Sequence, residues 1–364
     1  MYNTNKYDYL IVGAGLFGAV CAYRLKQMNK KVLVMDKRSH IGGNIYTEKT
    51  KSGMHVHRYG AHIFHTNNVK VWDFINQFDI FQQYQNEPIA NYNGKLYNLP
   101  FNMHTFYQIY GIKNVEELEN YMKKWDKSVN EPKNVEEVAI KYVGKKMYRK
   151  LIKGYTEKQW GCKCKELPPD ILKRIPIRKE WNNNYFNDKY QGIPENGYTN
   201  IIEKLLEGVD ISLNTSFDID RHYDVAKKII FCGSIDTLFS YELGVLEYRS
   251  LKFIEEYSEK STGAPVINFT SSKIPYTRII NHKMFLKETK DLSETILTYE
   301  YPQKFNILNE RYYPINNERN NKLYLDYIEL LKNKYPKIIP GGRLGLYKYL
   351  DMDKTIELAL NMDL

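Results

Sequence analysis

The sequence predicts an α/β fold, and three observations carry that reading. The chain opens on a short apolar run, Tyr7-Asp8-Tyr9-Leu10-Ile11-Val12, that ends in glycines and leads into helical spacing and a second apolar run. Two further β-branched runs that close on glycine recur far downstream, at Lys228 to Gly233 and Lys337 to Gly342. Between these returns lie a stretch with helical periodicity and stretches of alternating aromatic residues. Together they predict a Rossmann-like domain that is discontinuous in the chain, carrying a helical insertion and an antiparallel β-sheet region. The expected boundaries are 1–85 plus 208–250 plus 325–364 for the first domain and 100–173 for the helices. The sheet region takes 86–99 plus 174–207 plus 251–324.

The first element is the strand up to Val12, followed by Gly13-Ala14-Gly15-Leu16-Phe17-Gly18. Gly13 permits a tight turn, Gly15 lets a pyrophosphate approach the backbone, and Gly18 lets helix and strand pack closely. Val20, Cys21, Arg24, Leu25 and Met28 then repeat at helical spacing, and Val32-Leu33-Val34-Met35 ends in Asp36, where a ribose hydroxyl would be read. A glycine turn in another α/β protein is the alternative. A second glycine pair follows in Arg38-Ser39-His40-Ile41-Gly42-Gly43-Asn44. A nicotinamide dinucleotide needs no such pair, whereas the longer FAD does, so the two turns together favour FAD. The cofactor contacts expected along this stretch are Gly13, Gly15, Phe17, Gly18, Asp36, Lys37, Arg38, Gly43 and Asn44.

Further on, His55 to Tyr59 alternates like a strand and leads to Gly60-Ala61-His62-Ile63-Phe64-His65-Thr66, and Val69 to Phe78 has helical spacing. Asn93-Gly94 sits between alternating aromatics, a strong hairpin signal. Helices are expected over Thr105–Tyr110, Val115–Lys124, Val135–Val143 and Lys146–Tyr155. After Pro176 the pattern changes to short strands with turns at Gly192, Pro194 and Gly197. Lys228 to Cys232 and Lys337 to Ile339 return to the parallel sheet, and Asp353 to Leu364 reads as a last helix whose N-terminus points at the cofactor.

Composition narrows the function. The net charge of +10 in 364 residues is spread along the chain with no block of like charges, so nucleic acid is not expected and diphosphate-bearing ligands are. Cys21, Cys162, Cys164 and Cys232 do not form a disulfide framework, which suggests a reducing compartment. No secretory signal and no apolar run long enough for a bilayer are visible, so a soluble cytoplasmic protein that avoids membranes is expected.

The histidines His55, His57, His62 and His65 could be drawn with Cys162 and Cys164 as a metal site, but Cys-x-Cys is the wrong spacing and no metal is expected. His62 and His65 are expected to lie against the cofactor or a substrate. There is no Gly-x-Ser-x-Gly elbow and no evident carboxylate pair, so the chemistry falls to the cofactor. Four segments join aromatic and basic residues: Tyr155 to Trp160, Arg174 to Arg178 with Asn184-Tyr185-Phe186, Tyr276-Thr277-Arg278, and Tyr347 to Asp351. Guanidinium forks suit phosphate oxygens and aromatic faces suit a base, so the set describes a nucleotide-diphosphate ligand.

At these residues the chain resembles the bacterial UDP-galactopyranose mutases over nearly its whole length. The motifs that carry the resemblance include Tyr59 to Thr66, Asn98-Leu99-Pro100-Phe101-Asn102, Gly154 to Trp160, Lys173-Arg174-Ile175-Pro176, Tyr190-Gln191-Gly192-Ile193-Pro194, Glu247 to Leu251, Pro275 to Ile280, Tyr312-Tyr313-Pro314 and Gly341 to Leu344. The segment after Phe253 and the 284–300 region diverge. The resemblance implies that Tyr155 and Trp160 hold a uridine and that Arg174 and Arg278 engage its diphosphate. It further implies substrate contacts from Tyr185, Tyr313 (or its neighbour Tyr312), Tyr349, Asn86 and Asp351. Arg249, Arg343 and Met352 join the cofactor contacts, and His62 joins both the cofactor and the catalytic residues. The implied reaction is redox-neutral isomerisation of UDP-galactopyranose to UDP-galactofuranose on reduced FAD, through an adduct between flavin N5 and sugar C1. A cellular reductant such as NAD(P)H or a reductase, a homodimer, and a role in surface polysaccharide are implied with it. The competing readings are an FAD-dependent oxidoreductase of the amine-oxidase type, and a nucleotide-sugar protein in which flavin is structural.

Overall fold

A computed structural model describes residues 6–126, 129–172 and 176–364. Its centre is a five-stranded parallel sheet in the order Asp210–Ser212, Val32–Met35, Tyr7–Val12, Ala226–Phe231 and Ile338–Pro340. The three middle strands are apolar runs because both faces of a parallel sheet are covered. Helix Leu16–Gln27 packs on one face with the last helix, Met352–Leu360, and helix Glu318–Lys334 covers the other.

Two of the expected boundaries shift. Helix Gly197–Leu205 lies inside the stretch assigned to the sheet region, yet it buries Tyr198, Ile201, Ile202 and Leu205 in the core of the parallel-sheet domain. That i, i+3, i+4, i+7 stripe can be buried only against another apolar face, and the first helix supplies it. The boundary at 324/325 falls within helix Glu318–Lys334, whose Leu323, Tyr327 and Leu331 are buried together under the same sheet.

The second sheet has seven strands in the order Tyr313–Pro314, Tyr248–Ser258, Thr295–Lys304, Arg278–Asn281, Val266–Phe269, Ile89–Tyr92 and Lys95–Asn98. It is antiparallel except where Val266–Phe269 meets Ile89–Tyr92. The Asn93-Gly94 turn holds both residues at positive φ, 53° and 85°, as a tight two-residue hairpin requires. Register places Asn268, Arg278 and Glu300 side by side across three strands.

The helical insertion runs Met103–Tyr110, Val115–Asp126 and Val135–Met147, then a π-helical turn Tyr148–Ile152, then Lys153–Trp160. The helix expected over Lys146–Tyr155 is thus helical throughout but carries a π-helical turn at its centre, and the break before it falls at Gly144, between the two expected helices. Gly144 kinks the chain at φ 76°, ψ 157°, because a Cβ there would fall 2.5 Å from the Trp125 ring. The stretch after Pro176 contains one strand, Tyr190–Pro194, and 178–189 is irregular loop. Among the described residues no helix is long and apolar enough to cross a membrane.

Candidate active site

The two glycine turns meet at the edge of the parallel sheet. The Gly42 amide donates to the Ala14 carbonyl at 2.8 Å, and Gly15 pairs with Gly42. A Cβ on Gly18 would lie 2.1 Å from the Gly13 carbonyl oxygen, so helix and turn are in contact. At Gly15 the nearest atom to such a Cβ is 3.7 Å away, so the turn leaves space there. Helix Leu16–Gln27 has no side-chain cap and no acid in its first turn, which leaves N–H groups and a positive dipole end for an anion. These features fit the diphosphate of a dinucleotide.

Around that cradle the sequence-predicted residues take distinct places. The Asp36 carboxylate accepts from the Ala14 and Arg38 amides at 2.8 and 2.9 Å, locking the turn. The Arg38 guanidinium bonds Asn44 and Glu310, both at 3.0 Å, and lies 4.4 Å over the Tyr59 ring. Lys37 is exposed and pairs with Glu310 at 2.8 Å. Phe17 packs on Gly341, where a Cβ would fall 2.4 Å from its ring, and Gly43 adopts φ +54° beside Gly15. Met352 begins the last helix and is half-buried against the same core. Arg249 is held against a helix end. Its Nε and Nη2 donate to the carbonyls of Gln159 (2.8 Å) and Lys158 (3.3 Å), capping the C-terminus of helix Lys153–Trp160. A groove of about 870 Å³ opens beyond it, towards Phe305 and Ile307, and none of Tyr155, Arg278, His62 and Tyr349 lines it.

The charged centre lies where the antiparallel sheet faces the insertion. Arg278 Nη2 donates to the Tyr155 hydroxyl at 2.6 Å, and Nη1 is 3.6 Å from Glu300. Glu300 is buried and also accepts from the Thr277 hydroxyl at 3.0 Å. Burial works against the Arg278 charge, but Glu300, Tyr155 and Tyr313 outweigh it and hold the guanidinium well above its ordinary pKa. Its Nε is buried without a partner. Tyr313 and Tyr349 stand 5.8 Å apart, and Arg343 lies 5.0 Å from the Tyr349 ring while donating to the Leu350 carbonyl at 2.8 Å. Burial raises the Tyr313 pKa, as do Glu300 and Tyr349, so its hydroxyl keeps its proton.

His62 lies close enough to Arg343 and Arg278 to feel both charges. Its Nδ1 lies 2.8 Å from the Gly60 carbonyl, which can only accept, so Nδ1 carries the proton and Nε2 the lone pair. Its amide donates to His57 Nδ1 at 3.1 Å, and Tyr198 donates to its carbonyl. Burial, reinforced by Arg343 and Arg278, pushes its pKa down to about 4. His65 turns elsewhere, stacked on Phe186 at 3.7 Å and 2.7 Å from Asp188.

Tyr155 and Trp160 share helix Lys153–Trp160, the first against Arg278 and the second half-buried on the core of the insertion. The Tyr185 amide donates to the Asn86 carbonyl at 2.7 Å, joining those two residues, and Asn86 Oδ1 is buried with no partner. Asp351 occupies the N-cap position of the last helix, without a side-chain capping bond, two residues beyond Tyr349. Arg174 lies outside the described residues. Sequence reasoning missed Glu300, which alternates with the half-buried Tyr299 and Tyr301 and so resembles a solvent-facing position. It also missed Gln159 and Asn268, whose amide oxygens are buried and unpartnered.

A family model described as UDP-galactopyranose mutase matches residues 150–349, and one for an NAD(P)-binding Rossmann-like domain matches 11–78. The chain belongs to the UDP-galactopyranose mutase family. That makes it a flavin-dependent isomerase by family. It is 39% identical to the probable UDP-galactopyranose mutase of Klebsiella pneumoniae, over 98% of this chain and 94% of that protein. It is 37% identical to the dTDP-fucopyranose mutase of Escherichia coli, over 96% of each. The crystal structure of a reduced UDP-galactopyranose mutase superimposes with a TM-score of 0.74 at 15% identity, covering 99% of this chain and 93% of that one, which establishes the shared fold.

Proposed function

We propose that this mutase interconverts UDP-galactopyranose and UDP-galactofuranose on bound, reduced FAD, with no net oxidation. The observation that carries the reading is Arg278: a half-buried guanidinium, bonded to Tyr155 and close to Tyr313, Arg343 and a neutral His62. Gly13, Gly15, Phe17, Gly18, Asp36, Lys37, Arg38, Gly43, Asn44, Arg343 and Met352 would hold the cofactor. Bound reduced FAD supplies a nucleophilic ring nitrogen for the anomeric carbon of the sugar. The side chains around Arg278 then supply charge and hydrogen bonds. Arg278, with Arg174 as its partner, stabilises the negative charge that grows on the diphosphate as it leaves. Tyr155 and Trp160 hold the base, with the unpartnered amides of Gln159 and Asn268 available to its polar edge. Tyr313 and Tyr349 donate hydroxyl protons to phosphate or sugar oxygens. Asn86, Tyr185 and Asp351 complete the substrate contacts. His62, neutral near pH 7, offers an acceptor at Nε2 without adding a further positive charge. The motifs shared with the bacterial enzymes also support a cytoplasmic homodimer, kept reduced by NAD(P)H or a reductase and supplying galactofuranose for polysaccharide.

The similarity to the Escherichia coli enzyme favours one second reading, in which the substrate carries thymidine and a 6-deoxy sugar. Reduced enzyme offered UDP-galactofuranose and dTDP-fucofuranose in separate incubations separates the two. Conversion of the first to its pyranose form is expected. Conversion of the second alone transfers the proposal to dTDP-fucose, and conversion of neither overturns both.

A further inference from the structure

We infer that Lys158 is a positioning residue, holding the helix that presents Tyr155 and Trp160 in register with the strand that carries Arg278. The inference rests on the nucleotide-sugar reading of the Arg278 site. The Lys158 ammonium donates to three backbone carbonyls, those of Phe269 at 2.7 Å, Ile274 at 2.9 Å and Tyr276 at 2.7 Å. All three belong to the turn between strands Val266–Phe269 and Arg278–Asn281 or its immediate edges. Three donors are thus met by three acceptors, which uses the full capacity of an ammonium group. Burial disfavours the charge and pulls the pKa down to about 8.

One helical turn earlier, Gly154 lies flush on the same segment. A Cβ there would fall 2.4 Å from the Thr270 carbonyl oxygen and 2.9 Å from the Ser272 nitrogen. Residues four apart share a helix face, so Gly154 and Lys158 are two fastenings of one surface. Tyr155 follows Gly154, and Arg278 follows the turn by two residues; their side chains meet at 2.6 Å. The clamp therefore fixes the spacing between the residues assigned to the base and the one assigned to the diphosphate. A burial cost without a compensating carboxylate is otherwise hard to account for in a chain with many exposed lysines. Loss of the clamp leaves the Arg278 charge and the glycine turns intact, but frees the helix to slide against the strand. The misfit falls on the nucleotide, which the helix and the strand hold together, so it should be read in UDP affinity and KM rather than in kcat.

The test uses the full-length, FAD-loaded protein as wild type, Lys158→Met and Lys158→Gln. The readouts are UDP affinity by tryptophan fluorescence, KM and kcat with UDP-galactofuranose, FAD per chain, and the thermal midpoint. In Lys158→Met the UDP dissociation constant and KM should rise by about tenfold or more, with kcat within about threefold and FAD content unchanged, the pattern of lost uniform binding. Lys158→Gln, which keeps two donors on a shorter arm, should change in the same direction by less, and it decides the matter where the Met variant does not fold. A folded variant with UDP affinity and KM within about twofold of wild type, or one that loses kcat at constant KM, overturns the inference. Failure of both variants to fold would make Lys158 a residue of the fold as a whole and overturn it too. A wild-type protein that binds neither UDP nor dTDP overturns the nucleotide-sugar reading itself, so the two failures are distinguishable.

Discussion

Arg278 carries a charge that burial opposes and its neighbours Glu300, Tyr155 and Tyr313 support. Such a group is prepaid for stabilising an anion, because it does not have to reorganise when the diphosphate departs. Arg278→Met should therefore lose about 10²–10³ in kcat while keeping its FAD, since neither glycine turn touches it. Steady-state kinetics alongside flavin absorbance check this, and near-normal kcat/KM would remove Arg278 from the diphosphate. At this scale the sequence was informative about identity and poor on direction. Arg278 and Tyr155 stand in motifs and do meet in space. Arg249 also stands in a motif, yet its Nε and Nη2 bond carbonyls at a helix end, a destination set by tertiary packing. Glu300 belongs to no motif, and its burial follows from a strand register that cannot be read before the neighbouring strands are known.

At the scale of the element, the second and third glycines of the first turn separate binding from folding. A Cβ on Gly18 would meet the Gly13 carbonyl at 2.1 Å, a backbone atom that cannot yield, whereas one on Gly15 finds nothing nearer than 3.7 Å. Gly18→Ala should accordingly destabilise the protein by about 1–3 kcal/mol, the usual scale of overpacking. Gly15→Ala should fold with little change, yet lose FAD because the methyl group occupies the space a pyrophosphate needs. Thermal midpoints and FAD per chain measure both effects, and a Gly15→Ala protein that binds FAD normally would contradict the placement of the cofactor. These turns were legible because a glycine pattern between strand and helix has few other uses. The break between the helices expected over Val135–Val143 and Lys146–Tyr155 was legible too, because Gly144 stands there and takes a non-helical conformation beside Trp125. The π-helical turn Tyr148–Ile152 inside the second was not, because an apolar periodicity does not tell an α-turn from a π-turn.

At the scale of the whole molecule, the parallel sheet was readable from its apolar strands, while its partner helices were divided wrongly at 207 and 324. Helices between two sheets can pack on either, and only the completed core decides. One seam between the sheets is built from histidines. His57 accepts from the His62 amide, its own amide donates to His282 Nδ1 at 3.2 Å, and His282 Nε2 meets Thr298 at 2.7 Å. Burial pushes all three below the ordinary value of 6.5, His62 to about 4 and His282 to about 3. Above pH 6.5 they are neutral whether folded or unfolded, and no stability is linked to them. Below it the unfolded chain takes up protons that the folded chain refuses. Stability should then fall as pH drops from about 6.5 towards 5, by up to about 1.4 kcal/mol per pH unit for each histidine. Urea unfolding at several pH values in that window tests the seam, and a flat profile would mean that the histidines accept protons in the folded state.

The central claim is that the flavin serves an isomerisation and is not spent by it. The direct measurement is anaerobic conversion of UDP-galactofuranose by oxidised enzyme and by dithionite-reduced enzyme, with the electrons consumed counted against the product formed. Isomerisation on reduced flavin requires many product molecules per reduced flavin with no loss of reducing equivalents, and almost none from the oxidised enzyme. One electron pair consumed per product, or equal rates in both redox states, would contradict it and return the chain to the oxidoreductases whose cofactor turn it shares.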